Sequence, residues 1–433
     1  MSTAVVGASV GDRIKAARRQ RGLSQAELAH PEVSDSYVSL IESGKRIPTP
    51  GVLELLADKL GCSVLYLRHG VTPEQTTTFE EGLREARTAL ETGTHAQARA
   101  RYAALVHDSG LTGLPELHRE AELGLAAAMQ ACGELDEAIT LLERIRQREE
   151  PLPADAAMTV ISRLSSCYRQ RGDLTSAVAI AEPVVLGSPA PRWDTGIIQL
   201  GVELLAAYIE RGDLLRAQQF CRQLVTAAER LAAPPALATA WRAAALVAAE
   251  SGQSEQALTA IERAIAAQLG SGAAGASEDR VRSRYAAIAL SVAPERGGAW
   301  RPVLSRALEE LRGLSGAERE TVRCAVDLAR AELAAGAVRQ AQEHLAVVDD
   351  RLEELPHDVR AERHLLAGQI MAQLGRPRDA LAELSAAGAW LATAPPTRRI
   401  ARAWLAIARI REDLDDAKGS AEAYQQALAH AGL

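Results

Sequence analysis

Asparagine does not occur anywhere in the 433 residues, and phenylalanine occurs only twice. Lysine is scarce as well, with 4 residues against 45 arginines, a bias that fits GC-rich coding. Aromatics make up 3% of the chain, and clusters of aromatic or β-branched residues are few, so strands have little to be built from. No window approaches the ~18 uninterrupted apolar residues a membrane-spanning helix needs, which excludes a membrane partner of that kind. The N-terminal stretch MSTAVVGASVGDR has neither a basic n-region nor an adequate apolar core, so no signal peptide is expected and the expected location is cytoplasmic. The five cysteines, Cys62, Cys132, Cys167, Cys221 and Cys324, are odd in number and far apart. They suit buried free thiols in a reducing compartment, not a disulfide framework or a CxxC metal site.

Catalytic patterns are missing too. There is no HExxH, GxSxG or Walker motif, and His357 and His364 lie seven apart without ligand spacing. Gly270 to Gly275 matches GxGxxG, but no strand precedes it, and its Gly, Ala and Ser content reads as a flexible loop between repeats. No catalytic residue, metal or cofactor is expected. The five tryptophans (Trp193, Trp241, Trp300, Trp390, Trp404) read as packing residues.

What is present is 47% hydrophobic residue, carried by Ala, Leu, Val and Ile, with Arg and Glu as the main charges. Such a composition predicts an all-α chain. The net charge of −7 argues on average against a nucleic-acid partner, but it is unevenly spread. Residues 1–70 hold nine basic and seven acidic residues, a net of +2, and the remainder carries −9. Residues 71–78, inside the stretch RHGVTPEQTTT, have the Gly, Pro and Thr content of a linker between this head and a body over 79–433.

The head predicts five short helices. Gly11 to Gln20 places Ile14 and Ala17 on one face, and Gly22 closes that helix. Ser24 and Glu27 form a capping box for a brief helix stopped by Pro31. Ser34 caps a third helix whose Val38 and Ile41 face inward. Thr49 and Pro50 start a fourth, with Leu53, Leu56 and Leu60, ending at Gly61, and Ser63 starts the fifth.

Over residues 10–68 the elements GLSQAELA, VSDSYVSLIE and SGKRIP recur in the register of the XRE family of helix-turn-helix regulators, which this segment resembles. The resemblance implies that the second helix crosses the DNA backbone and the third enters the major groove of double-stranded operator DNA. It places Gln25 at the DNA at the start of the supporting helix. Asp35, Ser36 and Leu40 fall nearest base edges, flanked by Tyr37 and Ser39. Ser34, Lys45 and Arg46 fall on phosphates, and Arg18 and Glu42 form an ion pair between the first and third helices. Only His30, Pro31 and Glu32 separate Ala29 from Val33, one residue fewer than the family usually has, so the turn departs from the pattern. The groove-facing positions carry no Arg, Asn or Gln for bidentate base contacts, which implies modest specificity per half-site and a homodimer reading two half-sites.

The body repeats itself. A glycine followed five residues later by alanine recurs at Gly93/Ala98, Gly133/Ala138, Gly172/Ala177, Gly212/Ala217, Gly252/Ala257, Gly336/Ala341 and Gly375/Ala380. A weaker copy is expected around Arg296, Gly297 and Gly298, and a last one at Asp416/Ala421. Nine units of about 40 residues result, each a helix, a tight turn and a helix, stacking into an α-solenoid. The pattern resembles the tetratricopeptide repeat, lengthened from its usual ~34 residues.

That resemblance implies a concave face lined by the first helix of each pair. Arg169, Gln199, Arg242, Arg284, Arg323, Arg330 and Gln369 fall there, among Leu246, Val326 and Leu365. The arginines either hold a ligand carboxylate or pair with neighbouring glutamates. Domain order resembles the peptide-sensing RRNPP regulators, which commonly hold peptide backbone with asparagine. This chain has none, so the effector is left open among small molecule, peptide and protein. The expected function is sequence-specific transcriptional regulation with the body sensing a ligand and dimerising. The alternative is an adaptor in which the solenoid docks a protein partner and the head is accessory.

Overall fold

A computed structural model describes residues 9–148, 151–187, 192–270, 277–314, 317–346, 348 and 357–431. Among these residues all regular structure is helical, and the chain forms two compact units, Met1–Ile145 and Arg146–Leu433. Most of the glycine-rich stretch 270–275 lies outside the described residues.

The first unit opens with α1 (Val10–Gln20), α2 (Gln25–Ala29), α3 (Asp35–Glu42), α4 (Pro50–Leu60) and α5 (Val64–His69). Their ends are where the side chains predict them. The Ser24 hydroxyl accepts from the Glu27 N–H, and the Glu27 carboxylate accepts in return from the Ser24 N–H at 2.7 Å. Ser34 and Ser63 cap α3 and α5 through the N–H groups of Tyr37 and Tyr66. Ile14, Leu28, Val38, Ile41, Leu53, Leu56, Leu60 and Leu67 form one core. Gly11 controls how closely α1 meets α3, since a Cβ there would lie 2.1 Å from the Ile41 carbonyl oxygen.

The segment 71–78 is not a spacer. Val71 is buried, and Thr72 forms a capping box with Gln75 for α6 (Pro73–Glu91), with Pro73 at the first turn. The same Thr, Pro and Gln that suggested a linker thus make up a complete helix start. Two helix pairs complete the unit, α6 with α7 (His95–His107) and α8 (Pro115–Cys132) with α9 (Leu135–Arg146).

Among its described residues the second unit holds seven more pairs. They are α10 (Ala154–Arg171) with α11 (Leu174–Leu186), α12 (Thr195–Arg211) with α13 (Leu214–Leu231), and α14 (Pro234–Glu250) with α15 (Ser254–Gly270). A sixth pair has a broken first helix, α16 (Glu278–Ser283) and α17 (Ala286–Val292), followed by α18 (Gly297–Arg312). The last three are α19 (Glu318–Ala334) with α20 (Val338–Ala346), α21 (His357–Gln373) with α22 (Pro377–Leu391), and α23 (Arg398–Asp413) with α24 (Ala417–Ala431).

One device makes most of these pairs. The seven turn glycines all have φ between +71° and +89°, and the alanine five residues after each is fully buried. Glycine supplies the left-handed turn, and alanine lets the second helix lie close on the first. Two expected copies differ. At 294–296 the chain makes a single 3₁₀ turn and Gly297 is helical; a Cβ there would approach the Ala331 carbonyl oxygen at 2.8 Å, so this glycine serves close packing and not a left-handed turn. In the last pair the register moves back by one: Asp415 takes the positive φ of 59°, and Ser420, not Ala421, is the buried residue. The Ser420 hydroxyl donates to the Ala408 carbonyl at 3.0 Å, so the larger side chain is satisfied.

Within the second unit, the first helices of successive pairs touch one another, while the second helices are more widely spaced. The first helices therefore form the tighter inner row of a curved array. The curve returns on itself: α23 packs against α12, and Pro395 lies against the turn at Gly172.

The cysteines divide. Cys167, Cys221 and Cys324 are buried as expected, with burial pushing their thiols up to about 11, 11 and 12. Cys62 is half-buried and Cys132 is exposed at the end of α8, where the turn that follows leaves it uncovered.

Candidate nucleic-acid interface

The frame of the interface is an ion pair. Arg18 on α1 reaches Glu42 at the end of α3 through Nε at 2.6 Å and Nη2 at 2.9 Å, and Nη1 donates to the Leu23 carbonyl at 2.7 Å. Both residues are buried. Burial alone would push the Glu42 carboxyl up, but the hydrogen bonds from Arg18 and Gln25 outweigh it and hold it below the usual carboxylate range. A bidentate contact of this kind fixes the angle between α1 and α3 as well as their separation.

Gln25 was expected at the DNA. Its amide Nε2 donates to Glu42 Oε2 at 2.8 Å and the residue is half-buried, so α2 is tied to α3 through the same carboxylate. The short turn between these helices is held from outside. The Lys59 ammonium donates to the Leu28 carbonyl at 3.2 Å, to the His30 carbonyl, and pairs with Glu32. Lys59 was not singled out by the sequence, and its place on the polar side of α4 gave no local signal.

With Val38, Ile41 and Glu42 turned inward, α3 presents Asp35, Ser36, Ser39 and Leu40 to solvent. The Asp35 carboxylate accepts from the Ser36 N–H at 3.0 Å, which spends one oxygen on the helix start. Tyr37 is half-buried and Arg46 stacks on its ring at 5.2 Å, with Lys45 exposed beside it. Ser34 is occupied as the cap. Ile47, not singled out either, is 87% exposed directly after the two basic residues.

The arginines expected on the concave face do not form a free band. Arg169 donates to Glu210 at 2.7 Å and to Glu203 at 3.4 Å. Arg284 pairs with Glu320 at 2.7 Å, and the same carboxylate also takes Arg280. Arg330 donates to Asp327 at 2.7 Å and pairs with Glu362. Arg242 and Arg323 are exposed with no ion-pair partner among the described residues, Gln199 is exposed and Gln369 half-buried. Val326 points into the core instead of the concavity, while Leu246 is exposed. The tryptophans are packing residues, and Trp241 and Trp390 also carry Arg263 and Arg360 on their faces. Among the described residues there is no cluster of metal-ligating side chains and no helix long and apolar enough to cross a membrane.

A helix-turn-helix family model matches residues 14–67, the segment just described. An uncharacterised HTH-type transcriptional regulator, y4dJ of Sinorhizobium fredii, is 41% identical over 71 residues, 16% of this chain and 88% of that protein. The chain belongs to the helix-turn-helix transcriptional regulators of XRE type, with a tetratricopeptide-like helical body. Among solved structures, a Rap protein complexed with Competence and Sporulation Factor matches at 10% identity with a TM-score of 0.52, covering 82% of this chain and 98% of that one. PlcR of Bacillus thuringiensis, solved with the peptide PapR7 and DNA, matches at 13% identity with a TM-score of 0.33, covering 61% and 99%.

Proposed function

We propose that the chain is a one-component regulator that binds double-stranded operator DNA as a homodimer, in the cytoplasm, and whose repeat body senses an effector. The carrying observation is the exposed row on α3, with Ser36, Ser39 and Leu40 outward on a helix locked in place by Arg18, Glu42 and Gln25. Asp35 and Tyr37 flank the row, and Ser34, Lys45 and Arg46 meet phosphates. Serine hydroxyls and a leucine methyl offer single contacts to base edges, so each half-site contributes modest specificity and two half-sites are read together. Support for sensing comes from the fold of the body, shared with a Rap protein complexed with Competence and Sporulation Factor. Its free inner positions, Gln199, Arg242, Arg323 and Gln369, are the polar groups open to an effector. This reading assigns no catalytic residue, metal or cofactor.

Selection from a randomised duplex pool at physiological salt tests it. Enrichment of a two-fold symmetric sequence is expected. Ser36→Ala and Leu40→Ala should change the preferred bases at a cost of about 1–3 kcal/mol per lost contact, while Lys45→Ala and Arg46→Ala should weaken all duplexes alike and lower the salt slope by about one each. No preference over competitor DNA would overturn the regulator reading in favour of a protein-docking adaptor.

A further inference from the structure

Where the second unit curves back on itself, it leaves a cleft of about 710 Å³, lined on one side by Leu174, Arg211 and the turn at Gly212, and on the other by residues of the last helix pair. That volume falls in the ~300–1,000 Å³ range of small-molecule sites. Its walls are mostly apolar: Ala401 and Leu405 from α23, Ala427 and the half-exposed Leu428 from α24.

The polar groups are few and unevenly matched. At one end, Arg398 and Arg402 share a single carboxylate, Glu250. Arg402 donates a hydrogen bond to it, whereas Arg398 stands 3.9 Å away, beyond hydrogen-bond reach. Arg211 is neutralised by Asp213, and Glu210 is held by Arg169. At the other end, His430 lines the cleft with its Nδ1 buried and without a hydrogen-bond partner.

We propose that this cleft binds a small amphipathic organic carboxylate. Its carboxylate takes Arg398, the guanidinium that Glu250 leaves without a hydrogen bond. Its apolar body lies along Ala401, Leu405 and Leu428, and a polar group on that body meets His430. The ligand touches both ends of the curve, so it favours the closed array over any opened one by its differential contacts. This goes beyond the proposed function, since Gln199, Arg242, Arg323 and Gln369 do not line the cleft, and it rests on that reading only for its regulatory consequence.

The test uses the full chain and 8-anilinonaphthalene-1-sulfonate as a fluorescent amphipathic anion, displaced by decanoate. One saturable site per chain is expected, with decanoate competing. Arg398→Gln and Leu428→Glu, both at solvent-exposed side chains, should each weaken the probe about tenfold or more. Arg230→Gln, beside the separate apolar hollow at Trp193 and Leu231, should leave it unchanged. Probe binding indifferent to both cleft variants, or lost equally in Arg230→Gln, would overturn the site. Operator affinity is measured in parallel with and without decanoate. Cleft binding with unaltered operator affinity counts against sensing and leaves the site standing. An effector from cell extract that shifts operator affinity in Arg398→Gln and Leu428→Glu as strongly as in wild type, together with absent cleft binding, removes the site and leaves the regulator.

Discussion

In the DNA-binding head the buried ion pair of Arg18 with Glu42 is sealed between two helices and also carries Gln25, with Lys59 and Glu32 pairing at the surface, whereas the body spreads its ion pairs along the array. There three arginines of first helices reach carboxylates on the following pair: Arg169 to Glu203 and Glu210, Arg284 to Glu320, Arg330 to Glu362. The head concentrates its orientation in one contact, so one change disturbs every groove-facing side chain at once. The body divides its cohesion among neighbours, as a stack of units that each touch only the next must do. Arg402 with Glu250 breaks that neighbour rule, joining α23 to α14 across the curve.

The strongest way to break this contrast is Glu42→Ala. It strands a buried guanidinium and frees Gln25, at an expected cost of about 3–5 kcal/mol to the head. Operator binding should vanish while far-UV circular dichroism, dominated by the body, stays nearly unchanged. Proportional loss of both signals would show that head and body unfold together. Gly11→Ala comes next. The added methyl meets the Ile41 carbonyl at 2.1 Å, so overpacking of about 1–3 kcal/mol and weakened operator affinity are expected in urea titrations and binding assays.

In the body, burial raises the Asp327 carboxyl to about 6 against the pull of Arg330. The folded state therefore keeps a proton that the unfolded chain releases near 3.8. The stability this contributes is complete below about pH 4 and lost as pH rises to about 6, so wild type should lose on the order of 1–3 kcal/mol relative to Asp327→Asn across that window. Urea melts of both proteins at several pH values read the difference directly, and a flat difference would refute it. The smallest effect is expected from Gly133→Ala, where nothing lies within 4 Å of the new methyl and only the left-handed φ is penalised, at about 1 kcal/mol. A cost matching that of Gly11→Ala would erase the distinction between steric contact in the head and backbone conformation in the body.

Much of this was legible in the chain. Helix starts at Ser24, Ser34 and Ser63 are local chemistry, written within four residues. The glycine and alanine of each repeat are equally local, since one sets a dihedral angle and the other a contact five residues on. At a few positions two local meanings compete. Thr72, Pro73 and Gln75 have the composition of a loop and the geometry of a helix start, and the buried Val71 beside them favours the second. The register slip at Asp415 and Ser420 was hidden because aspartate and serine do there what glycine and alanine do elsewhere.

By itself, the sequence determined an all-helical chain, a head with XRE-type elements and a body of nine helix pairs, because periodicity, caps and turns act over a few residues. Tertiary structure alone decided that Gln25 serves Glu42, that Lys59 ties the short turn, and that Arg169, Arg284 and Arg330 already have ion-pair partners while Arg242 and Arg323 have none among the described residues. It alone also brought Pro395 against Gly172 and opened the cleft beneath Arg398. Those contacts join residues from 17 to more than 200 positions apart. They depend on the summed angles of many packed helices, which no single stretch of chain records.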